Sequence, residues 1–290
     1  MNSLDYDYLR RLLKERSGLV LSSDKQYLME SRLLPIVRRL GLASLAALVA
    51  KLRGTGAGVE ALIGEVVEAM TTNETFFYRD RTPFDNFSEA IVPALIAARA
   101  GQRRIRIWCA AASTGQEPYS LAICLKEMGT RLAGWHIDIL ATDLSLQVLD
   151  KASAGIYSQF EVQRGLPIQY LVKYFAQKGD TWQIAPEIRA MVQFRPFNLL
   201  HEFAPLGRFD VVFCRNVLIY FDQQTKTDIL RRIASQLTPD GYLALGAAET
   251  AVGLTEAFKP LPDRRGAYVL NHSADARPAA PRLALVAGGR

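Results

Sequence analysis

Apolar side chains recur at helical spacing through the first seventy residues. Leu4, Tyr8, Leu9, Leu12 and Leu13 fall at intervals of three and four, on one face of a helix. A second stripe, Met29, Leu33, Ile36, Val37 and Leu40, predicts a helix from Asp24 to Leu40. It stops at Gly41, a residue free to take the left-handed conformation just past a helix end. Lys25, Arg32 and Arg39 are spaced by seven and share one edge beside that stripe. Ser44–Arg53 reads as a third helix, closed by Gly54, Gly56 and Gly58, and Val59–Met70 as a fourth. No strand-like alternation interrupts this stretch.

Thr71–Asp80 is polar, then aromatic, and has no period. Thr82-Pro83-Phe84-Asp85 predicts a helix start, with Thr82 as N-cap, Pro83 at N1 and Asp85 at N3, running on to Gly101. From Arg103 strands and helices alternate. The predicted strands are Ile105–Cys109, Ile137–Ala141, Met191–Phe197, Phe209–Cys214, Tyr242–Gly246 and Ala267–Leu270. The predicted helices are Glu117–Met128, Ser145–Ala154 and Asp222–Leu237, the last capped by Asp222. Such alternation argues for an α/β domain around a mostly parallel sheet. Residues 273–290, rich in Ala, Pro and Gly, are expected to be disordered.

The 290 residues are 49% hydrophobic and 22% charged, which is globular rather than disordered composition. No apolar run approaches the ~18–20 residues that span a bilayer. The nearest, Leu42–Ala50, is broken by Ser44. The N-terminus carries acid where a signal peptide carries base. Cys109, Cys124 and Cys214 are odd in number and far apart, so they supply neither a disulfide framework nor a zinc site. A reduced, cytoplasmic protein is expected. The net charge is +6, and residues 1–53 hold ten Lys/Arg against five Asp/Glu. That basic module suits an acidic partner, which could be nucleic acid, an anionic membrane face or an acidic protein; a solvated basic surface is the alternative.

Candidate chemistry gathers at the strand ends. The first strand runs into Ala110-Ala111-Ala112-Ser113-Thr114-Gly115-Gln116-Glu117, a small-residue turn opening a helix. Ligands of α/β sheets bind at the carboxyl ends of strands, and small residues let them approach the backbone. The turn keeps only one glycine of a dinucleotide fingerprint and lacks a phosphate-binding lysine, which argues against a triphosphate. The second strand ends in Ala141-Thr142-Asp143-Leu144-Ser145, where an acid can accept both ribose hydroxyls of a nucleoside. Alternatively, Asp143 caps the next helix. A later strand delivers Arg215, Asn216 and Tyr220 to the same edge, unless Asn216 is a turn residue and Tyr220 a core aromatic. His136, His201 and His272 form no cluster, which argues against a histidine metal site or a Ser-His-Asp triad. Methyl transfer from a sulfonium to a carboxylate fits such a site. A carboxylate, with pKa ~4, is already a nucleophile at neutral pH, so alignment and field suffice.

Five motifs occur in order: Asn73-Glu74-Thr75-Phe76-Phe77-Tyr78-Arg79, Ala112-Ser113-Thr114-Gly115-Gln116-Glu117-Pro118-Tyr119-Ser120, Ala141-Thr142-Asp143-Leu144, Phe197-Asn198-Leu199 and Cys214-Arg215-Asn216-Val217-Leu218-Ile219-Tyr220-Phe221-Asp222. With them the chain resembles the CheR-type chemotaxis receptor methyltransferases over about residues 5–271. The resemblance implies a Rossmann-like α/β sheet that binds S-adenosylmethionine, a small all-helical N-terminal domain and a small antiparallel β-subdomain. It divides the chain into a docking domain (1–75), a linker contributing to the active site (76–90) and a methyltransferase domain (91–272) with its β-subdomain near 172–190.

The implied activity is methylation of glutamate side chains on chemoreceptor cytoplasmic helices, giving methyl esters and S-adenosylhomocysteine. Carried over by position, Asn73, Thr75, Arg79, Glu117, Asp143, Asn198, Leu199, Arg215 and Asn216 line the cofactor. Glu117 and Asp143 suit its amino group and ribose, Asn198-Leu199 its adenine, and Arg79 and Tyr220 lie nearest the reacting methyl. The edge of Lys25, Arg32 and Arg39 matches the family's receptor-docking surface, which favours an acidic protein over nucleic acid as partner. A monomer is expected, with no metal and no membrane insertion. In well-known members a glycine-rich loop of the β-subdomain grips a peptide at the receptor C-terminus. Here Tyr174–Ile184 has room only for a short hairpin around Gly179, so tether-free action is expected. Two other readings are a CheR-like module that binds the cofactor as a signal, which the intact Arg79 and Tyr220 oppose, and a same-fold methyltransferase with another acceptor.

Overall fold

The structure, a computed structural model, describes residues 2–272, and the tail expected to be disordered (273–290) lies outside the described residues. Four helices come first: α1 (Ser3–Ser17), α2 (Gln26–Arg39), α3 (Leu45–Leu52) and α4 (Ala57–Met70). Their apolar stripes meet in one core, in which Leu9, Leu13, Met29, Leu33, Leu48 and Val66 are fully buried. Ser44 caps α3 by accepting from the Ala47 N–H at 3.2 Å, and Gly41 sits past α2 at φ +64°. A single 3₁₀ turn, Ser23–Lys25, precedes α2 and delays its start beyond Asp24.

The next helix corrects the expected cap. Thr82 is the first residue of α5 (Thr82–Asn86), and Arg81 occupies the cap position at φ +47° without a side-chain cap bond. The tight turn before it, where the Arg81 N–H reaches the Tyr78 carbonyl at 2.9 Å, takes up the polar stretch and leaves Thr82 inside the helix. A π turn (Phe87–Ile91) leads into α6 (Val92–Ala98), which ends short of Gly101. Pro93 has no N–H, and its ring would crowd the Glu89 carbonyl of a regular helix. The wider turn, with the Val92 N–H on the Phe87 carbonyl, relieves both.

The α/β part runs β1 (Arg104–Ala110), α7 (Gln116–Glu127), β2 (His136–Asp143) and α8 (Leu146–Ala154). It continues through β3 (Ile156–Ser158), α9 (Gln159–Gln163), α10 (Ile168–Tyr174), β4 (Phe175–Lys178), β5 (Thr181–Ile184) and α11 (Pro186–Arg189). It closes with β6 (Val192–Pro196), β7 (Phe209–Cys214), α12 (Gln223–Gln236), β8 (Leu237–Leu245), β9 (Phe258–Pro260) and β10 (Ala267–Leu270). The main sheet has the order β6-β2-β1-β7-β8-β10-β9. Its first five strands are parallel, and β10 and β9 join antiparallel.

Both faces are covered, so the central strands are apolar throughout rather than alternating. Ile105, Ile107 and Cys109 of β1 face one core with Phe84, Tyr119 and Phe213, while Trp108 and Ala110 face the other with Phe203, Phe209 and Ile229. Burying a side chain such as Phe213 stabilises the fold by about 1.5–3 kcal/mol. The strand order reverses between β1 and β7, and a crevice opens at their carboxyl ends. The second sheet, β3-β5-β4, is antiparallel. Its β4–β5 hairpin turns through Gly179 and Asp180 alone, since Lys178 pairs with Thr181.

Candidate cofactor and active site

The crevice is lined by six segments of the chain. Thr71–Thr75 and Arg79 come from the segment after α4, and Ala111, Ser113 and Glu117 from the β1–α7 turn. Asp143 and Leu144 follow β2, Phe197–Leu199 follow β6, and Arg215–Val217, Tyr220 and Phe221 follow β7. Ser17 and Leu19, at the end of α1, complete the wall. Asn73, Thr75, Arg79, Glu117, Asp143, Asn198, Leu199, Arg215, Asn216 and Tyr220 thus share one cavity; Lys25, Arg32 and Arg39 do not line it.

The β1–α7 turn needs unusual backbone. Ala111, Ser113 and Gly115 have φ of +65°, +49° and +94°. The first two carry a Cβ in the left-handed region, at a cost of about 1–2 kcal/mol each. Bonds hold them there. The Ser113 N–H donates to Asp143 Oδ2 at 2.8 Å, and the Ser113 hydroxyl donates to the Asn73 carbonyl at 2.9 Å. A Cβ on Gly115 would stand 2.9 Å from Ala152 Cβ, so only glycine fits where α7 starts against α8.

Asp143 is not the cap of α8. That role belongs to Ser145, whose hydroxyl accepts from the Val148 N–H and donates to Glu68 of α4 at 2.6 Å. Asp143 accepts from Ser113 N on one oxygen and from Ser145 N, at 3.0 Å, on the other. A carboxylate offers about four acceptor sites, so capacity remains for hydroxyls. Burial pushes its carboxyl above the usual carboxylate range, against the pull of these N–H donors.

Arg215 is almost wholly buried and braced rather than free. It donates to Glu117 Oε2 at 2.6 Å, to Asp80 Oδ2 at 2.9 Å and to the Arg79 carbonyl at 2.8 Å. Its Nε is buried without a hydrogen-bond partner among the described residues. Burial pushes the Glu117 carboxyl upward, and the Arg215 guanidinium pulls it back. Arg79 gives one N–H to the Glu74 carbonyl at 2.6 Å and lies 5.6 Å from the Phe76 ring centre. The rest of its five donors are available to a ligand.

The helical part closes the crevice. Asn198 donates to the Arg16 carbonyl at 2.7 Å, and Val20 N–H donates to the Tyr220 carbonyl at 2.9 Å. Lys14 pairs with Asp222, the cap of α12, at 2.8 Å. Arg32 corrects the expectation of a basic docking edge. Its guanidinium is turned inward, onto the carbonyls of Met70 (2.7 Å) and Thr71 (2.9 Å) and the Thr72 hydroxyl (3.0 Å). The reason is local: the last carbonyls of α4 have no partner within their helix, and Arg32 supplies one. Arg39 instead bonds the exposed-side acid Glu65, and Lys25 lies 3.8 Å from Asp24. The sequence reading also missed Glu68 and Glu249, acids distant in sequence from the loops they bind, and no local pattern announces them.

The donor set fits an adenosyl amino acid. Asp143 offers acceptors for ribose hydroxyls, Leu144, Phe197 and Leu199 form an apolar wall, and Arg79 supplies positive charge. No cluster of three His, Cys, Asp or Glu able to hold a metal occurs among the described residues. No helix among them is long and apolar enough to cross a membrane.

Comparison with known proteins agrees with the topology. Residues 4–71 match the family model described as the CheR methyltransferase all-alpha domain, and residues 73–267 match that of the CheR methyltransferase SAM binding domain. The chain is 45% identical to chemotaxis protein methyltransferase 1 of Pseudomonas aeruginosa, covering 88% of this chain and 93% of that protein. It is 43% identical to chemotaxis protein methyltransferase Cher2 of Pseudomonas putida, covering 89% and 94%. It is 42% identical to the chemotaxis protein methyltransferase of Vibrio anguillarum, covering 88% and 92%. The two matched domains correspond to the helical bundle and to the sheet whose crevice fits S-adenosylmethionine, and the chain belongs to the CheR methyltransferase family, with S-adenosylmethionine as its cofactor.

Proposed function

We propose that this chain methylates glutamate side chains on the cytoplasmic helices of chemoreceptors, giving glutamate methyl esters and S-adenosylhomocysteine. One observation carries the acceptor class: the crevice lining contains neither histidine nor lysine, and its acids are engaged, Glu74 with Arg164, Glu117 with Arg215 and Asp143 with the N–H groups of Ser113 and Ser145. A hydroxyl or amine acceptor must shed a proton, whereas a carboxylate need not. When bound, S-adenosylmethionine supplies a methyl carbon made electrophilic by its sulfonium.

The residues of the chain do the rest. Asp143 accepts from the ribose hydroxyls, and the apolar wall with Asn198 and Leu199 frames the adenine. Glu117, kept beside Arg215, faces the amino-acid end, and Asn73, Thr75 and Asn216 complete the wall. Arg79 holds the acceptor carboxylate in line through its guanidinium fork, with the Tyr220 hydroxyl beside it. Correct alignment of two reactants is worth several kcal/mol of barrier, about 7–11 at best.

Docking falls to the basic edge of α2. The side chains of Lys25, just before α2, and of Arg39 are each about half exposed, whereas Arg32 is engaged with the end of α4. The reading places the protein in the cytoplasm as a monomer, with an acidic receptor segment as partner, no nucleic acid and no membrane insertion. It assigns docking to residues 1–75 and the linker role to 76–90. It also makes recognition independent of a receptor C-terminal peptide, because the β4–β5 hairpin has only Gly179 and Asp180 in its turn.

Incubation with methyl-labelled S-adenosylmethionine and receptor-bearing membranes tests the reading. Label released as methanol by mild base supports a carboxyl ester; base-stable label overturns it. Titration with the C-terminal peptide of a tail-bearing receptor tests the tether-free claim. Micromolar binding, near −8 kcal/mol, would contradict it.

A further inference from the structure

Glu249 lies in the turn after β8, outside every motif noted in the sequence. Its carboxylate collects five main-chain N–H groups. One oxygen accepts from Val217 (2.9 Å), Leu218 (2.7 Å) and Ile219 (3.4 Å), the other from Asn216 (2.7 Å) and Gly246 (2.8 Å). Four of these donors are consecutive and run from the loop after β7 into the 3₁₀ turn Leu218–Tyr220. Successive N–H groups converging on one anion make a nest, here filled by a side chain of the same fold.

The loop needs that anion. Asn216 sits at φ +57°, the left-handed region that asparagine tolerates better than most residues with a Cβ, so its N–H is turned away from the β7 ladder and onto the carboxylate. Ile219 is 45% exposed, so packing alone does not fix the segment. Gly246 gives the carboxylate its room: a Cβ there would stand 2.7 Å from Glu249 Oε2 and 2.9 Å from the Asn216 nitrogen. Asn216, Val217 and Tyr220 line the crevice, whereas Glu249 does not.

We propose that Glu249 is a positioning residue for methyl transfer, its carboxylate fixing the Asn216–Ile219 loop so that Asn216 and Tyr220 stand correctly in the cofactor crevice. It touches neither cofactor nor acceptor and acts through the backbone it binds. Charge matters as well as shape, because a carboxamide of the same size presents N–H to N–H at one of its two ends.

The test is Glu249→Gln in the full-length chain, with affinity for S-adenosylhomocysteine, kcat at saturating cofactor and melting temperature measured separately. The expected result is a loss of roughly tenfold or more in kcat and a several-fold weaker affinity, in the range of a lost charged hydrogen bond, in fully folded protein. The Val217 and Leu218 amide protons should move upfield in the NMR spectrum. Ile229→Val, in the core under α12, serves as a control that lowers the melting temperature without changing kcat. A folded Glu249→Gln protein with wild-type kcat and affinity overturns the proposal. Should the variant not fold, hydrogen exchange in the wild-type chain decides. Slow exchange at Asn216, Val217 and Leu218, comparable to β7, supports the clamp, and free exchange overturns it.

Discussion

The side-chain amide of Asn198 donates to the main-chain carbonyl of Arg16 at 2.7 Å, tying a crevice residue of the sheet domain to the end of α1. The helical bundle therefore helps to wall the crevice rather than hanging beside it. Asn198→Asp replaces the donor with a carboxylate facing a carbonyl. Affinity for S-adenosylhomocysteine should fall by about 0.5–1.5 kcal/mol, the net worth of one solvent-accessible hydrogen bond. Calorimetry returning the wild-type value would show that the link does not shape the crevice.

Asp143→Asn keeps the size of the side chain while removing its charge and half of its acceptor capacity. Cofactor affinity should weaken by about 1.5–3 kcal/mol, the range for hydrogen bonds to a charged group. Unchanged affinity would remove Asp143 from the ribose site.

Arg79→Ala should reduce kcat far more than it weakens S-adenosylhomocysteine binding, because its fork is assigned to the acceptor. A variant retaining near-wild-type turnover would leave Arg79 with only its bond to the Glu74 carbonyl. Tyr220→Phe is the milder counterpart, since only the hydroxyl is lost.

Two arginines one heptad apart should behave differently. Arg32→Ala frees the carbonyls of Met70 and Thr71, next to the crevice, and should weaken cofactor binding several-fold. Arg39→Glu should leave cofactor affinity intact while lowering receptor methylation, with a weaker dependence on salt. Equal effects of the two on cofactor affinity would contradict this division.

Asp222 carries a pH dependence. The Lys14 ammonium and the Thr225 N–H hold its carboxyl well below the usual carboxylate range. With the folded value depressed, its stabilisation is complete above the unfolded pKa of ~4 and fades as pH falls toward the folded value. Asp222→Asn keeps a capping side chain but loses the ion pair. Its melting temperature should lie below wild type near neutral pH, by the equivalent of at most about 1 kcal/mol, and converge with it in acid. A gap that persists unchanged on acidification would assign the effect elsewhere.

Sequence periodicity located what packing dictates. The stripes of α1–α4 and the apolar runs of β1, β2 and β7 are legible because each element must bury one helical face or both strand faces. The end-of-strand residues Asp143 and Arg215 are legible because topology brings strand ends together. The three residues of β3 and the three of β9 carry too little pattern, and pairing with β5 and β10 alone makes them strands. The π turn before Pro93 depended on a missing N–H, and Arg32 and Glu249 find their partners through tertiary contact. A charge spaced by seven tells which edge a residue occupies, not whether it points to solvent.

Mapping the methylated residue tests the central claim most directly. Receptor methylated by the wild-type chain is digested and its modified peptides sequenced by mass spectrometry. Methyl esters are expected on glutamates of the cytoplasmic helices, and their absence when Arg79→Ala replaces the wild type. Methyl groups on nitrogen, on nucleic acid or on a small molecule, with receptor glutamates unmodified, would contradict it.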